Sequence, residues 1–395
     1  MTTSHQLLLA DVETRVAKVQ DEVIAVRRDL HAHPELGWHE VRTTELIKQR
    51  LIAAGLSPQV LPTGTGLICD IGSGDTCVAL RADIDALPVP DAIEAPWRST
   101  IDGAAHACGH DIHTAALLGA GLVLAGMARD GLLDRRVRLI FQPAEEVMPG
   151  GALGVIAAGG IDGVHRIYGL HCDPRLQVGQ IGLRVGALTA AADRILVRLT
   201  GPGGHTSRPH LTADLVYALA QLVTELPAAL SRRVDPRAGM SLVWGRITAG
   251  SAANAIPARG EVEGTVRCLD VNAWRLAAEL IPTLAAQLVA PFGVEVDTEV
   301  THGVPPVVND PRAIEVFRSA VEQTLGVDSL AQTDQSLGGE DFAWYLEHVP
   351  GAMARLGVRA VGTETAADLH TPEFNPSENA IALGTTLLTA SALLD

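Results

Sequence analysis

The stretch His106-Ala107-Cys108-Gly109-His110-Asp111-Ile112-His113 brings three imidazoles, a thiol and a carboxylate together, directly ahead of the apolar run 115–127. Thiolate and imidazole groups are the usual protein ligands of zinc and similar divalent ions, and a neighbouring carboxylate can orient an imidazole. The alternative is an ordinary helix start, with Asp111 near the N-terminus and the histidines in solvent. A complete metal site needs further donors, so other segments of the chain must supply them.

The composition is that of a globular protein. The chain has 395 residues, of which 47% are hydrophobic and 19% charged, and this length predicts about two to three domains. The net charge is −16, and no run is rich in Lys or Arg. Both features argue against nucleic acid and against anionic membranes as partners.

Three further features predict a cytoplasmic location. The five cysteines are an odd count without framework spacing, which favours reduced thiols over disulfides. Residues 1–10 lack the cationic start of a signal peptide. The longest apolar run, 115–127, is shorter than the ~20 residues that a membrane-spanning helix needs.

Helical and strand-like patterns alternate through the first half of the chain. The order is two helices within 11–56, strands 66–71 and 77–84, a helix from Thr114, strand 137–141, a Gly/Ala-rich helix and strand 166–170. The alternation resumes near His302 and ends in strand 352–356 and helix 377–393. This order predicts an α/β fold with a mixed, mostly parallel sheet covered by helices on both faces.

The pattern changes near residue 190. A strand at 193–199, a helix at 212–226, strands at 240–248 and 258–268, a helix at 272–289 and a strand at 294–301 follow in turn. The order β-α-β-β-α-β is the ferredoxin-like plan. We therefore predict an inserted α+β domain over 191–302, between the two parts of a catalytic domain, 1–190 and 303–395.

Further potential donors follow the ends of predicted strands. They are Asp83, Asp85, Glu145, Glu146 and His171, with His370 in a loop before the last helix. In open α/β sheets, binding groups gather outside the carboxyl ends of the strands. Each residue has an ordinary alternative: a solvated helix start for the glutamates, a satisfied polar group for each histidine, and a turn cap for the aspartates. Together they predict a metal centre with a carboxylate beside it.

Six motifs in order resemble those of the aminoacylase and carboxypeptidase family of two-metal peptidases. They are RADIDALP (81–88), HACGHDIH (106–113), QPAEE (142–146), GLH (169–171), GEDF (339–342) and LHTPEF (369–374). The chain is most similar to the hippurate hydrolases, bacterial N-acyl-amino-acid amidohydrolases and plant auxin-conjugate hydrolases, over about residues 20–385. The resemblance implies a two-metal exopeptidase-like domain, a ferredoxin-like lid or dimerisation domain, and a homodimer or higher homo-oligomer.

The resemblance also implies roles for individual residues. The ligands of two divalent ions would be Cys108, His110, Glu146, His171 and His370. Cys108 would take the bridging place of an Asp in the wider family, and Arg81 stands where many relatives have a ligand His; an Arg cannot ligate a cation. Mixed sulfur, nitrogen and oxygen donors suit zinc, manganese, cobalt or nickel.

The other implied roles concern catalysis and substrate. Glu145 would take a proton from a water whose pKa the two cations lower, and would deliver it to the leaving nitrogen. Apart from the resemblance, the position of Asp83 at a strand end would let it hold a ligand imidazole in orientation. His205 matches the family's oxyanion donor, which usually acts across a dimer interface, and Asn254 and Arg267 match substrate contacts in the lid. Locally, 201–204 could instead be a strand-to-helix turn or a phosphate loop, and Arg267 a surface residue.

The predicted activity is metal-dependent hydrolysis of the amide bond in small N-acyl or aryl-acyl amino acids. The alternatives are a dipeptidase or carboxypeptidase with the same centre and, from another class, a catalytically silent metal-binding assembly protein. The early turn with His31, His33 and His39 matches the family, but no ligand role transfers to it.

Overall fold

The computed structural model describes residues 3–395, with side chains described from residue 8 onward. Residues 1–2, part of the segment that was interpreted above as lacking a signal peptide, lie outside the described residues. The chain forms two compact units. The first comprises Met1–Gly186, Val308–Asp334 and Asp341–Asp395, and the second comprises Ala187–Val307 and Gln335–Glu340. The second unit therefore contains the predicted inserted segment 191–302.

The first unit contains most of the two segments predicted as a catalytic domain, 1–190 and 303–395, whereas residues 187–190, 303–307 and 335–340 belong to the second unit. Its helices are α1 (Thr3–Ala32), α2 (Val41–Ala53), α3 (His110–Arg129), α4 (Ala152–Ala157), α7 (Pro311–Thr324), α8 (Ala343–Leu346) and α9 (Asn379–Leu394). Its strands are β1 (Gln59–Val60), β2 (Leu67–Ile71), β3 (Cys77–Asp83), β4 (Arg136–Gln142), β5 (Arg166–Gln177), β6 (Ile181–Leu183), β14 (Val308–Asn309), β15 (Leu330–Gln332) and β16 (Gly351–Arg359). Strand β7 (Gly186–Ala187) lies where the chain passes to the second unit.

Eight strands form the main sheet, in the order β1-β2-β4-β3-β5-β16-β6-β15. The four central strands β4, β3, β5 and β16 are parallel, whereas β2 pairs antiparallel with β4, and β6 antiparallel with β16. Strands β3 and β16 are almost entirely buried and mostly apolar, as expected of parallel strands covered on both faces. The predicted mixed, mostly parallel α/β fold is confirmed.

Helix α3 lies in the core of this unit. It is 20 residues long and apolar enough in composition to cross a membrane, but 83% of its most apolar window is buried inside the protein. It packs with α1, α9 and strand β3. The helix begins at His110 and not at Thr114 as predicted, because Gly109 adopts φ 85° at the cap and lets the chain turn into the helix earlier. The helix start is thus inside the core, and the expectation of solvated histidines is wrong.

The second unit has one four-stranded antiparallel sheet, in the order β10-β12-β8-β13. Its elements are β8 (Ala191–Thr200), β9 (Gly204–His205), α5 (Leu215–Leu230), β10 (Ser241–Ala249), β11 (Ala255–Ile256), β12 (Arg259–Cys268), α6 (Val271–Val289) and β13 (Glu295–Val304). The order along the chain and within the sheet is that of a ferredoxin-like domain. Strands β9 and β11 form a separate two-stranded ribbon.

Candidate metal centre

The sheet of the first unit brings several predicted residues to one edge. Strands β3, β4 and β5 are parallel neighbours, and the carboxyl ends of β3 and β4 lie beside the middle of β5, which continues to Gln177. Asp83 ends β3, Glu145 and Glu146 follow the end of β4, and His171 lies two residues beyond Gly169, which pairs with Arg81 of β3. This is the edge at which open α/β sheets bind ligands.

The five predicted ligands lie close together. Sγ of Cys108 is 3.6 Å from Nε2 of His171. Oε1 of Glu146 is 3.9 Å from Nε2 of His110 and 3.2 Å from Nε2 of His370. Donor atoms of Cys108, His110 and Glu146 all lie within 4.8 Å of one another.

Hydrogen bonds orient two of these imidazoles. Nδ1 of His110 lies 2.9 Å from the main-chain oxygen of Asp85, and Nδ1 of His171 lies 2.8 Å from that of Cys172. A carbonyl oxygen only accepts, so each Nδ1 carries a proton, and Nε2 is the atom that has the lone pair when the ring is neutral. Both lone pairs are therefore directed into the donor cluster, as ligation requires.

The donor set fits a divalent cation. Nε2 of His110 is buried and, among the described residues, has no hydrogen-bond partner, whereas Oε1 of Glu146 pairs with Nε2 of His370. Buried polar atoms are normally paired, so an unpaired one in a cluster with a thiol points to an ion. Sulfur, nitrogen and oxygen donors in one cluster are the combination that zinc and related metals take.

His113 already has hydrogen-bond partners at both ring nitrogens. Nε2 of His113 accepts a hydrogen bond from the amide of Cys172 at 2.8 Å, and its Nδ1 donates to Asp83 at 2.6 Å. Its lone pair is thus already used. His106 is buried and, because of that burial, its pKa falls to about 4.

Asp111 is an internal counter-ion. Its Oδ2 lies 2.7 Å from Nε of Arg27 and 2.7 Å from Nδ1 of His31, and all three side chains are buried. Its Oδ1 also accepts from the amide of Ile112 at 3.0 Å. Asp111 thus joins helix α3 to helix α1, a long-range role that its position at a helix start does not reveal.

The main chain fixes the loops that carry the donors. A Cβ at Gly109 would lie 2.7 Å from Sγ of Cys172, so only glycine fits beside this thiol. The amide of His370 donates to the main-chain oxygen of Ala107 at 2.8 Å, which ties the last predicted ligand to the Cys108 loop. His370 itself adopts φ 63°, an uncommon conformation for a residue other than glycine.

The electrostatic environment differs between the donors. Burial opposes protonation of His110, but the carboxylates of Asp83, Asp85 and Glu146 outweigh it and raise its pKa to about 10. Burial and the nearby Arg355 lower the pKa of His171 well below its usual value. Burial and the neighbouring glutamates raise the pKa of the Cys108 thiol. Cys108 and His110 therefore must each release a proton to bind a cation.

Arg81 forms hydrogen bonds to three side chains in a buried polar network. Its guanidinium donates to Asp83 at 2.7 Å, Asp341 at 2.8 Å and Gln142 at 2.9 Å. Gln142 in turn donates from Nε2 to both carboxylate oxygens of Asp341. Arg81 thus provides a fixed positive charge inside the protein. Gln142 and Asp341 had no predicted role, although both belong to motifs that the sequence shows.

Three predicted residues belong to the second unit. His205 of β9 pairs with Ala255 of β11, and the main-chain oxygen of Asn254 accepts from the amide of Thr206 at 3.3 Å, so one ribbon carries both. Arg267 lies on β12 opposite Ala192 of β8.

The ring of His205 is held in a defined tautomer. Its Nδ1 accepts from the amide of Ser207 at 3.1 Å and lies 2.8 Å from the Ser207 hydroxyl oxygen. Because an amide N–H can only donate, the neutral ring carries its proton on Nε2. His205 is exposed, so this N–H is available as a donor.

Comparisons with known proteins agree with this centre. A Rhodococcus jostii protein with the provisional name glutamate–cysteine ligase 2-3 is 49% identical over 378 residues, which are 95% of this chain but 47% of that protein. The chain thus spans about half the length of that relative. N-acetyl-L-cysteine deacetylase of Bacillus subtilis is 38% identical over 404 residues, covering 100% of this chain and 94% of its own.

A solved structure shares the fold over the same length. The crystal structure of the Bacillus subtilis YXEP protein, described as a dinuclear metal binding peptidase from the M20 family, superposes with a TM-score of 0.83 at 33% identity. It covers 95% of this chain and 98% of that one. Residues 79–393, which include all the motifs described above, match the sequence profile of Peptidase family M20/M25/M40. The chain belongs to Peptidase family M20/M25/M40.

Proposed function

We propose that this protein is a cytoplasmic, metal-dependent amidohydrolase that cleaves the amide bond of small N-acyl or aryl-acyl amino acids. Cys108, His110, Glu146, His171 and His370 would hold two divalent ions. The observation that carries the proposal is the convergence of these five donors beside Glu145, whose Oε2 lies 3.9 Å from Nε2 of His110. A carboxylate next to a complete donor set is what a hydrolytic centre needs and what a structural metal site does not.

The chain's own groups divide the chemistry between them. Two divalent ions, when bound, lower the pKa of a water and polarise a carbonyl group. Glu145 removes a proton from the attacking water and passes it to the amide nitrogen as the carbon–nitrogen bond breaks. The Nε2–H of His205 is the donor proposed for the oxyanion that develops on the carbonyl oxygen. Arg267 and Asn254 are proposed to bind the substrate, since an arginine suits a carboxylate.

The names of relatives narrow the substrate class. N-acetyl-L-cysteine deacetylase is 38% identical over the whole chain, and the Rhodococcus relative is named for joining glutamate to cysteine. We therefore place N-acylated cysteine first among the amino acids to be tested. A dipeptidase or carboxypeptidase activity of the same centre is the second candidate, because the family and the YXEP protein are named as peptidases.

A metal-loaded substrate screen tests the proposal. The protein is stripped with a chelator, reloaded with zinc, manganese, cobalt or nickel, and offered N-acetyl, N-benzoyl and dipeptide substrates. We expect cleavage of at least one N-acyl amino acid only after reloading. Preferential cleavage of free dipeptides would favour the peptidase alternative. If no metal-loaded sample cleaves any member of a broad panel, the enzymatic proposal fails.

A further inference from the structure

A second buried carboxylate reaches the turn that carries Glu145. Glu40 is fully buried, and its Oε1 accepts a hydrogen bond from the amide of Ala144 at 2.7 Å. It comes from the segment between α1 and α2, to which the sequence assigns no function. Among the described residues, its second oxygen, Oε2, has no hydrogen-bond partner. A buried carboxylate whose partners are main-chain groups is costly, so its presence requires a reason.

Helix capping does not provide that reason. Glu40 is the residue that precedes α2, where a side chain often caps the free amides, but its carboxylate makes no capping hydrogen bond. Glu35 does this instead: its two oxygens accept from the amides of Arg42 at 3.0 Å and Thr43 at 2.8 Å. The side chain of Glu40 is therefore not needed for the helix.

The turn that Glu40 contacts is conformationally unfavourable. Ala144 adopts φ 52°, and the other non-glycine residues of the described chain with positive φ are Trp38 and His370. Such a conformation costs on the order of 1 kcal/mol or more and persists only where surrounding contacts hold it. The main-chain oxygen of Ala144 accepts from the amide of Gly151 at 2.9 Å, and the amide of Ala144 donates to Glu40. Both main-chain polar groups of Ala144 are thus held by hydrogen bonds.

The α1–α2 segment packs directly on this turn. A Cβ at Gly37 would lie 2.6 Å from Cγ2 of Val147 and 3.3 Å from Cα of Ala144. A larger residue at position 37 would have to displace the Val147 side chain or draw the segment away from the turn, so glycine favours the close approach by which Glu40 reaches the amide of Ala144. Two residues of this segment therefore make the contact with the turn: Gly37 by its small size and Glu40 by its hydrogen bond.

Buried carboxylates thus flank Glu145 on both sides along the chain. Glu40 binds the amide of Ala144, and Oδ2 of Asp85 accepts from the amide of Glu146 at 2.9 Å. We propose that Glu40 is a positioning residue that fixes the backbone of Ala144 and so the direction in which Glu145 projects. This inference rests on the proposed role of Glu145 as the base. A misplacement of about 1 Å in a catalytic group can cost ~100-fold in rate.

The environment of Glu40 indicates which substitutions test its proposed role. Burial raises the pKa of Glu40 to about 7, so the site tolerates a neutral side chain. A glutamine keeps an oxygen acceptor at the same reach, whereas alanine removes it and aspartate withdraws it by one methylene. The three variants therefore separate the hydrogen bond from the charge.

The test compares kcat, KM and bound metal in Glu40→Gln, Glu40→Asp and Glu40→Ala, using the metal-loaded full chain and the best substrate of the screen. We expect kcat to fall at least ~10-fold in the alanine and aspartate variants, with KM and metal content unchanged, and to stay near wild type in the glutamine variant. Glu35→Gln is the matched control, and it should lower the melting temperature without changing kcat.

Three outcomes would overturn the inference. They are a normal kcat in Glu40→Ala, a glutamine variant as impaired as the alanine variant, and a loss of activity matched by an equal loss of metal. If Glu40→Ala does not fold, Glu40→Asp decides in the same way. A wild-type protein that cleaves nothing refutes the proposed function, whereas an active wild type with a normal Glu40→Ala refutes only the role of Glu40.

Discussion

Asp85 holds His110 by two oxygens: Nδ1 of the imidazole lies 2.9 Å from the main-chain oxygen of Asp85 and 3.2 Å from Oδ1 of its carboxylate. The other carboxylate oxygen, Oδ2, accepts from the amide of Glu146 at 2.9 Å. One side chain thus positions two proposed ligands, one from helix α3 and one from the turn after β4.

Asp85→Ala should weaken metal binding about 10–100-fold, because the ring of His110 and the amide of Glu146 both lose the Asp85 carboxylate as an acceptor. The measurement is competition for zinc against a chromogenic chelator. Asp134→Ala, a change at a highly exposed side chain, is the control and should leave the affinity unchanged. Equal affinities for Asp85→Ala and the wild type would show that the main-chain contact alone suffices.

Arg81→Met should destabilise the fold by about 3–5 kcal/mol, because it leaves the carboxylates of Asp83 and Asp341 buried without their cation. Arg246→Met is the control: its ion pairs with Glu261 and Glu263 are at the surface and screened by solvent, so the loss should be far smaller. Urea unfolding of both variants provides the free energies. A loss for Arg81→Met no larger than the control would mean that the buried network contributes no net stability.

Metal affinity should rise with pH across the neutral range. Nearby carboxylates raise the pKa of His110 to about 10, and burial raises the pKa of the Cys108 thiol, so both groups are protonated in the metal-free protein at pH 7. Each proton released on binding adds up to about tenfold in affinity per pH unit. Calorimetry in buffers of different ionisation enthalpy counts these protons. A pH-independent affinity with no proton release would contradict this set of ligands.

Two inactive variants should restore activity when mixed. His205→Ala lacks the proposed oxyanion donor and Glu145→Gln the proposed base, and each should lose about 100-fold or more in kcat. If His205 acts across a dimer interface, as the resemblance implies, a mixed dimer regains one complete site. The assay follows activity after subunit exchange, with each variant alone as its control. No recovery in dimers shown to have exchanged would assign His205 to its own chain.

Much of the fold could be predicted from the sequence because its patterns are local. Buried apolar runs such as 352–356 and the β-α-β-β-α-β order of the inserted segment depend on neighbouring residues alone. Element ends were less predictable. Strand β5 was predicted to end at Leu170 but extends to Gln177, because Asp173 and Gln177 continue to pair with β16. That pairing joins segments more than 180 residues apart in the chain.

The candidate site could be predicted where its residues belong to recognisable motifs. The five proposed ligands were identified by residue type, strand ends and family resemblance, and they do lie together. What could not be predicted was how the remaining polar groups pair. Asp111 binds Arg27 and His31, and Glu40 binds Ala144, across separations of 80 residues or more. Hydropathy and spacing hold no signal for such partners.

The central claim is that Glu145 is the base of a metal-dependent hydrolase. Its most direct test measures bound metal and turnover together in Glu145→Gln, with a substrate that the wild type cleaves. Because glutamine keeps the shape but cannot take a proton, we predict unchanged metal content and a fall in kcat of at least ~100-fold. Near-normal turnover in a fully metal-loaded Glu145→Gln would contradict the account.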